Sequence, residues 1–327
     1  MSPTSRLGRT WSLQLTRGND RLRRLTKWIR DRRRLRLAFP PATAVVSESV
    51  GHGVLEIRLS GGERRNVLGR ATIQRIEELV ANPPIGTKVI VITSEPPDFC
   101  AGYDIVEASR GNADQLIAHP TNFETLRRSL VPIVMALQGN VIGGGLELAL
   151  LADVRIASPE ARFAIPASKL GLVYSEAGAR LVLDAFGESV ARAMFLGGRV
   201  VTAEEALSSG VLSGIVGREQ LRAEALDLAF SIASWSPEAT SGNRQVLDAI
   251  AGRIVVDIAA LHESSFSPHG VLAETIADFV SRRSGVARHE VLQTPLNLHH
   301  GSDEAPEMTS PDLNEVVTHR LTAFVEE

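Results

Sequence analysis

Short apolar runs at 44–46 and 54–59 alternate with polar positions on either side of Gly51 and Gly53, and predict the two strands of a β-hairpin. A helical spacing of apolar residues follows over 70–80 and predicts a helix. Residues 88–93 and 133–137 are compact apolar runs, the second ending at Gly139, and predict buried strands. Strands over 154–157 and 162–164 and a helix over 176–186 then repeat the order strand, strand, helix. That alternation places the chain in the α/β class. After Gly217 the pattern becomes helical, over 220–234, 238–251 and 272–283. Upstream of the hairpin, Leu22, Leu25 and Ile29 share one face of a basic amphipathic helix that Pro40-Pro41 ends. These changes of pattern divide the chain into an extension at 1–41, a core at 42–217, a helical region at 218–290 and a polar tail at 291–327. In the tail, a short helix over 314–325 and disorder are both open.

Charge sharpens this division. Residues 1–40 carry eleven Arg, one Lys and two Asp, a net of +10, so a chain whose total is −3 leaves −13 on the remainder. An acidic body excludes general nucleic-acid binding by the core, and an anionic partner would need local Arg or Lys. The basic head reads as a mitochondrial-type presequence, a surface-binding arm or an extension without function. The cytoplasm is the expected location, with the mitochondrial matrix as the alternative. No apolar run approaches the ~18 residues of a membrane span. The single cysteine, Cys100, excludes an internal disulfide, and its apolar neighbours make it a packed side chain rather than a nucleophile. No Cys/His spacing suits a metal.

The segments that carry chemistry are glycine-rich. Phe99-Cys100-Ala101-Gly102-Tyr103-Asp104 precedes Gly143-Gly144-Gly145-Leu146-Glu147-Leu148-Ala149, where a turn runs straight into an apolar helical stretch. Backbone N–H groups from two such turns, beside a helix N-terminus, suit a developing negative charge and would form an oxyanion hole. Glu147 lies one turn inside the same helix. Taken alone, the stretch also reads as a tight strand-to-helix turn with a glutamate favoured by the helix dipole.

Five segments in order add to this: ERRNVLGRATIQRIEEL, FCAGYDI, VPIVMALQGNVIGGGLELALLADVRIAS, ARFAIPASKLGLVYSEAG and GRVVTAEEALSSGVLSGIV. Together, from about Val54 to about Gly285, they resemble the crotonase (enoyl-CoA hydratase/isomerase) superfamily. The resemblance implies a ββα spiral core of two near-perpendicular sheets. It also implies a C-terminal helical trimerisation region, and so a homotrimer or a dimer of trimers. It implies that the N–H groups of Tyr103 and Gly144 bind the oxygen of an acyl-CoA thioester and stabilise an enolate. CoA then enters as part of the substrate, with no tightly bound cofactor and no metal. Arg65, Asn66, Val67 and Ala101 match the positions near CoA. In the late helix, Phe279 with Arg282 or Arg283 matches residues that reach a neighbouring subunit's CoA.

Departures from the pattern bear on the reaction. Glu147 matches the first of two catalytic glutamates, but Ala167 holds the place of the second, and alanine cannot transfer a proton. Glu176 is a substitute one position beyond Ser175, or else a helix-opening glutamate. Tyr103 stands where a small residue is usual; its phenol narrows the acyl pocket, donates a proton or packs outward. Tyr174, Ser168 and Lys169 are candidates for the pocket lining, and His119 falls in the segment where a lid would lie. The leading expectation is an enoyl-CoA hydratase or isomerase with Glu147 as acid/base. A decarboxylase or thioester hydrolase of the same fold, and a non-catalytic acyl-CoA binder, are the alternatives.

Overall fold

The computed structural model describes residues 43–108 and 123–266, with short stretches between 274 and 293. The head, the tail, His119, Phe279 and Arg283 lie outside the described residues, as does half of the helix expected over 272–283. The chain divides into two compact units, the first running to Arg244 and the second from Gln245.

In the first unit, β1 (Ala44–Gly51) and β2 (Val54–Ser60) form the expected antiparallel hairpin. Helix α1 (Arg70–Ala81) follows, then β3 (Val89–Ser94), and the short helix α2 (Glu124–Arg127) precedes β4 (Ile133–Leu137). Strand β5 (Asn140–Ile142) leads into α3 (Gly144–Ala149). Strands β6 (Val154–Ala157) and β7 (Arg162–Ala164) lead into α4 (Ala167–Leu170) and α5 (Glu176–Gly197). Then come β8 (Val200–Thr202), α6 (Ala203–Ser208), β9 (Gly214–Ile215) and α7 (Leu221–Ala233).

Among the described residues the strands form two sheets, one ordered β1-β2-β3-β4-β6-β9 and the other β5-β7-β8. Consecutive strands are shared between them. β4 and β6 pair in parallel in the large sheet, while β5 and β7 pair in parallel in the small one. Each strand pair followed by a helix is therefore one turn of the ββα spiral.

The large sheet is buried on both faces, which explains why its central strands read as unbroken apolar runs. Leu55, Ile57, Ile90, Ile92 and Met135 face the main core. Alternate positions, Val54, Val89, Val91 and Val134, pack on Leu221, Ala225, Ala229 and Ile232 of α7. One carboxylate lies on that second face. Glu56 is buried, and it accepts from Arg222 Nε and from the Thr93 hydroxyl, each at 2.8 Å.

Helix α5 continues past its expected end at 186. Gly187, at φ 74°, interrupts the helical backbone and a second helical segment runs on to Gly197. Helix α8 (Pro237–Ile250) reaches into the second unit, which also contains α9 (Ile258–Phe266) and α10 (Arg288–Gln293). Among the described residues no helix is long and apolar enough to cross a membrane.

Candidate active site

The loop over 99–104 is fastened on both sides. Toward β5, the Cys100 N–H donates to Asn140 O at 3.0 Å, and the Ile142 N–H donates to Cys100 O at 3.0 Å. Toward the segment before α1, the Leu68 N–H donates to Gly102 O at 2.8 Å, and the Asp104 N–H donates to Leu68 O at 2.9 Å. Gly102 carries φ +100°, a conformation that side chains resist. Asp104 is further held by Arg64 at 2.7 Å.

These bonds decide where Tyr103 points its backbone. Gly102 O and the Asp104 N–H both face Leu68, so the Tyr103 N–H faces the opposite side of the extended chain. Gly144 lies on that side: a Cβ placed on Gly102 would stand 3.6 Å from Gly144 N. The turn into α3 is made by Gly143, at φ 55° and ψ −121°. Its N–H donates to Ala164 O at 2.9 Å, and its carbonyl accepts from Leu146 and Glu147. The N–H groups of Gly144 and Gly145 open the helix and so have no acceptor within it. Donors from two separate segments are thus brought side by side.

Glu147 is 3% exposed. The Tyr174 hydroxyl donates to its Oε1 in a very short hydrogen bond, and the Tyr103 hydroxyl also acts to lower the same carboxyl. The Tyr103 ring lies flat against the opening of α3: a Cβ on Gly144 would stand 2.6 Å from ring Cε2 and 2.7 Å from Cζ. The Tyr103 side chain therefore packs inward, over the helix and up to Glu147. On the far side, the Tyr174 ring packs edge-on to Phe195, with centroids 5.2 Å apart. Gly178 closes that side, since a Cβ there would stand 2.8 Å from Glu147 Oε2 and 2.7 Å from Tyr174 Cε1.

Burial pushes the Glu147 carboxyl above its ordinary range, while Tyr174, Tyr103 and the charge of Arg127 act in the opposite direction. Burial and the adjacent Glu147 hold the Tyr174 phenol well above its ordinary value, so it remains a donor. Burial also pushes the Cys100 thiol up to about 12. The sulfur is packed beneath Gly145, where a Cβ would stand 2.8 Å from it, which fits an inert packed side chain.

A buried carboxylate one helical turn from paired backbone donors is suited to forming and quenching an oxyanion. The sequence pattern of the enoyl-CoA hydratase/isomerase family matches residues 49–264. The chain belongs to this family. A probable enoyl-CoA hydratase of Mycobacterium leprae is 35% identical over 173 residues, covering 50% of this chain and 68% of the relative. The 2,3-dehydroadipyl-CoA hydratase of Escherichia coli is 32% identical over 198 residues, covering 59% and 78%. The solved enoyl-CoA hydratase of Mycobacterium tuberculosis superposes with a TM-score of 0.56 at 28% identity, covering 64% of this chain and 93% of that one. An enoyl-CoA hydratase subunit from Geobacillus kaustophilus, at 24% identity, shares the fold with a TM-score of 0.66 over 74% and 97%. The hydratase/isomerase family is one of acyl-CoA thioester-processing enzymes, and this chain is one of them.

Four of the residues expected near CoA, Arg65, Asn66, Val67 and Ala101, are described, and Ala101 is joined to Arg65. The Ala101 N–H donates to Arg65 O at 2.9 Å, and Arg65 and Asn66 both adopt left-handed backbone, at φ 55° and 52°. The Arg65 side chain is exposed and Val67 half-buried. Asn66 is different: its buried side-chain amide donates to Glu95 O at 2.7 Å and Asp98 O at 2.8 Å, so it ties two loops together. Glu176 is exposed at the first position of α5, where the helix dipole favours it, and Ser175 caps the helix by accepting from the Gly178 N–H. Tyr174, two residues earlier, is the side chain that reaches Glu147. Ala167 is buried at the start of α4. Ser168 donates to Phe195 O at 2.6 Å and Lys169 to Gly198 O at 3.5 Å, so both tie α4 to the end of α5.

Two surface cavities of about 420 and 460 Å³ open elsewhere on the first unit, and neither is lined by Glu147, Tyr103 or Gly144. The chemistry, and not the size of a hollow, marks the site. Among the described residues no group of three His, Cys, Asp or Glu could hold a metal ion.

Proposed function

We propose that this enzyme performs hydratase/isomerase-type enolate chemistry on an enoyl-CoA. The thioester oxygen accepts from the Tyr103 and Gly144 N–H groups, and the Glu147 carboxylate exchanges the proton. The observation that carries the reading is the burial of Glu147 one turn from Gly144, on the same helix, with its carboxylate held by the Tyr174 hydroxyl. CoA is carried in as part of the substrate, past the backbone of Arg65, Val67 and Ala101 and the exposed Arg65 guanidinium. The enzyme works as a trimer or dimer of trimers in the cytoplasm. With Ala167 in the place of the second carboxylate, any proton beyond the one Glu147 handles must come from another group.

The deciding experiment compares wild type and Glu147→Gln on 2-enoyl-, 3-enoyl-, 3-hydroxyacyl- and malonyl-type CoA thioesters, with product detection. Turnover of the enoyl substrates should fall about 10²-fold or more, with binding of the thioester retained. Near-normal rates in the variant would sink the mechanism. Ala167 favours one second reading, decarboxylation, which requires the hole but not a base. Retained turnover of the malonyl-type thioester by Glu147→Gln would select it.

A further inference from the structure

Resting on the reading of Glu147 as the acid/base, we propose that the Tyr103 hydroxyl is the second proton-transfer group, taking the part that a carboxylate at position 167 would play. Gly144 and Glu147 are three residues apart on α3 and so share one face of the helix. The Tyr103 ring lies along that face. Its Cε2 and Cζ press on Gly144, one helical turn before Glu147, and its hydroxyl acts to lower the Glu147 carboxyl. Its own N–H is one of the two donors to the thioester oxygen. The carbon next to a carbonyl held in that hole must therefore lie beside the Tyr103 hydroxyl. Tyr174 bonds Glu147 with its ring on Phe195 and Gly178, and so positions the carboxylate.

The step balances. The Glu147 carboxylate takes a proton from water as the water oxygen bonds to the β-carbon. The double-bond electron pair moves toward the thioester, and the enolate oxygen rests in the hole. The α-carbon then takes the proton of the Tyr103 hydroxyl, and the O–H pair stays on the phenolate. Glu147 then returns its proton to that phenolate, which restores both groups. An ordinary phenol titrates near 10, far below the carbon acid formed from an enolate, so the protonation of carbon runs downhill.

Tyr103→Phe removes the hydroxyl and keeps both the ring and the backbone donor. The experiment follows conversion of a 2-enoyl-CoA to the 3-hydroxyacyl-CoA in D₂O, with the thioester's Kd measured in parallel. Tyr103→Phe should slow hydration about 10²-fold, on the scale of a lost general acid. Its Kd should stay within about twofold of wild type, since only uniform binding would move it. Deuterium should enter one face of the α-carbon in wild type and both faces in the residual product of the variant. Near-wild-type or faster hydration by Tyr103→Phe, with Glu147→Gln inactive, overturns this role and leaves the Glu147 reading standing. Near-normal rates in both variants overturn both. A wild-type enzyme that hydrates none of the 2-enoyl thioesters overturns the Tyr103 role as well.

Discussion

Tyr174→Phe removes one hydrogen-bond donor from a nearly wholly buried carboxylate and leaves the ring against Phe195. A hydrogen bond to a charged group contributes about 1.5–3 kcal/mol. At 1.36 kcal/mol per pKa unit, losing it should raise the Glu147 pKa by about one to two units. The direction follows from the present balance: burial already holds this group up, and Tyr174 is the leading influence that lowers it. The acid limb of kcat/KM on an enoyl-CoA should therefore move to higher pH by that amount, with the high-pH plateau little changed. Stability should follow the same sign. A carboxyl whose folded pKa is raised contributes stability that is present below its unfolded value and lost as pH rises through the folded one. The variant loses more over that range. Melting temperatures of the two proteins should lie close at acid pH and separate as pH climbs toward neutrality. The assay is a pH series of kcat/KM with melting curves at each pH. An acid limb that moves by less than about 0.3 unit, well under the expected shift, refutes the reasoning. So does a melting gap as wide at acid pH as at neutral.

Gly178→Ala should destabilise the fold by about 1–3 kcal/mol through overpacking, because the added methyl would stand 2.8 Å from Glu147 Oε2. It should also reduce turnover more than thioester binding, so full activity in steady-state kinetics would contradict the packing described. Arg222→Ala should cost about 1 kcal/mol, less than an ordinary charged hydrogen bond, because the Arg222 side chain is half exposed and screened. Arg222 and Thr93 hold Glu56 below its ordinary range against the cost of burial. That stability is present above the unfolded carboxylate value and lost as pH falls through the folded one. Urea denaturation at neutral and acid pH should therefore show the Arg222→Ala deficit shrinking on acidification, and a constant deficit would contradict it. Cys100 should resist a thiol-directed maleimide at about pH 8 in the native enzyme and react as a single equivalent once unfolded. Prompt labelling of the native protein would show that the sulfur is not sealed beneath Gly145.

Much of the scaffold was legible along the chain. Strands at 89–94 and 133–137 lie where the compact apolar runs are, because both faces of a parallel sheet exclude water and leave little room for polar residues. The strands β5, β8 and β9 were not legible, being two or three residues long and defined by their partners. The helix α6 carried a readable signal in Thr202 and Glu205, which form a capping box. The second half of α5 was hidden by Gly187, which reads as a stop but here joins two helical segments.

The site divides along the same line. The two glycine turns and the place of Glu147 one turn inside a helix could be read from residue types and spacing, since those depend on backbone freedom and on one turn of helix. Asn66 as a tie between loops, the inward course of the Tyr103 ring and the grip of Tyr174 on a carboxylate 27 residues earlier could not. They depend on how β5 and β7 bring the start of α3 against the start of α5. Only that packing removes water from Glu147, and only the removal of water makes its few remaining hydrogen bonds decide its protonation.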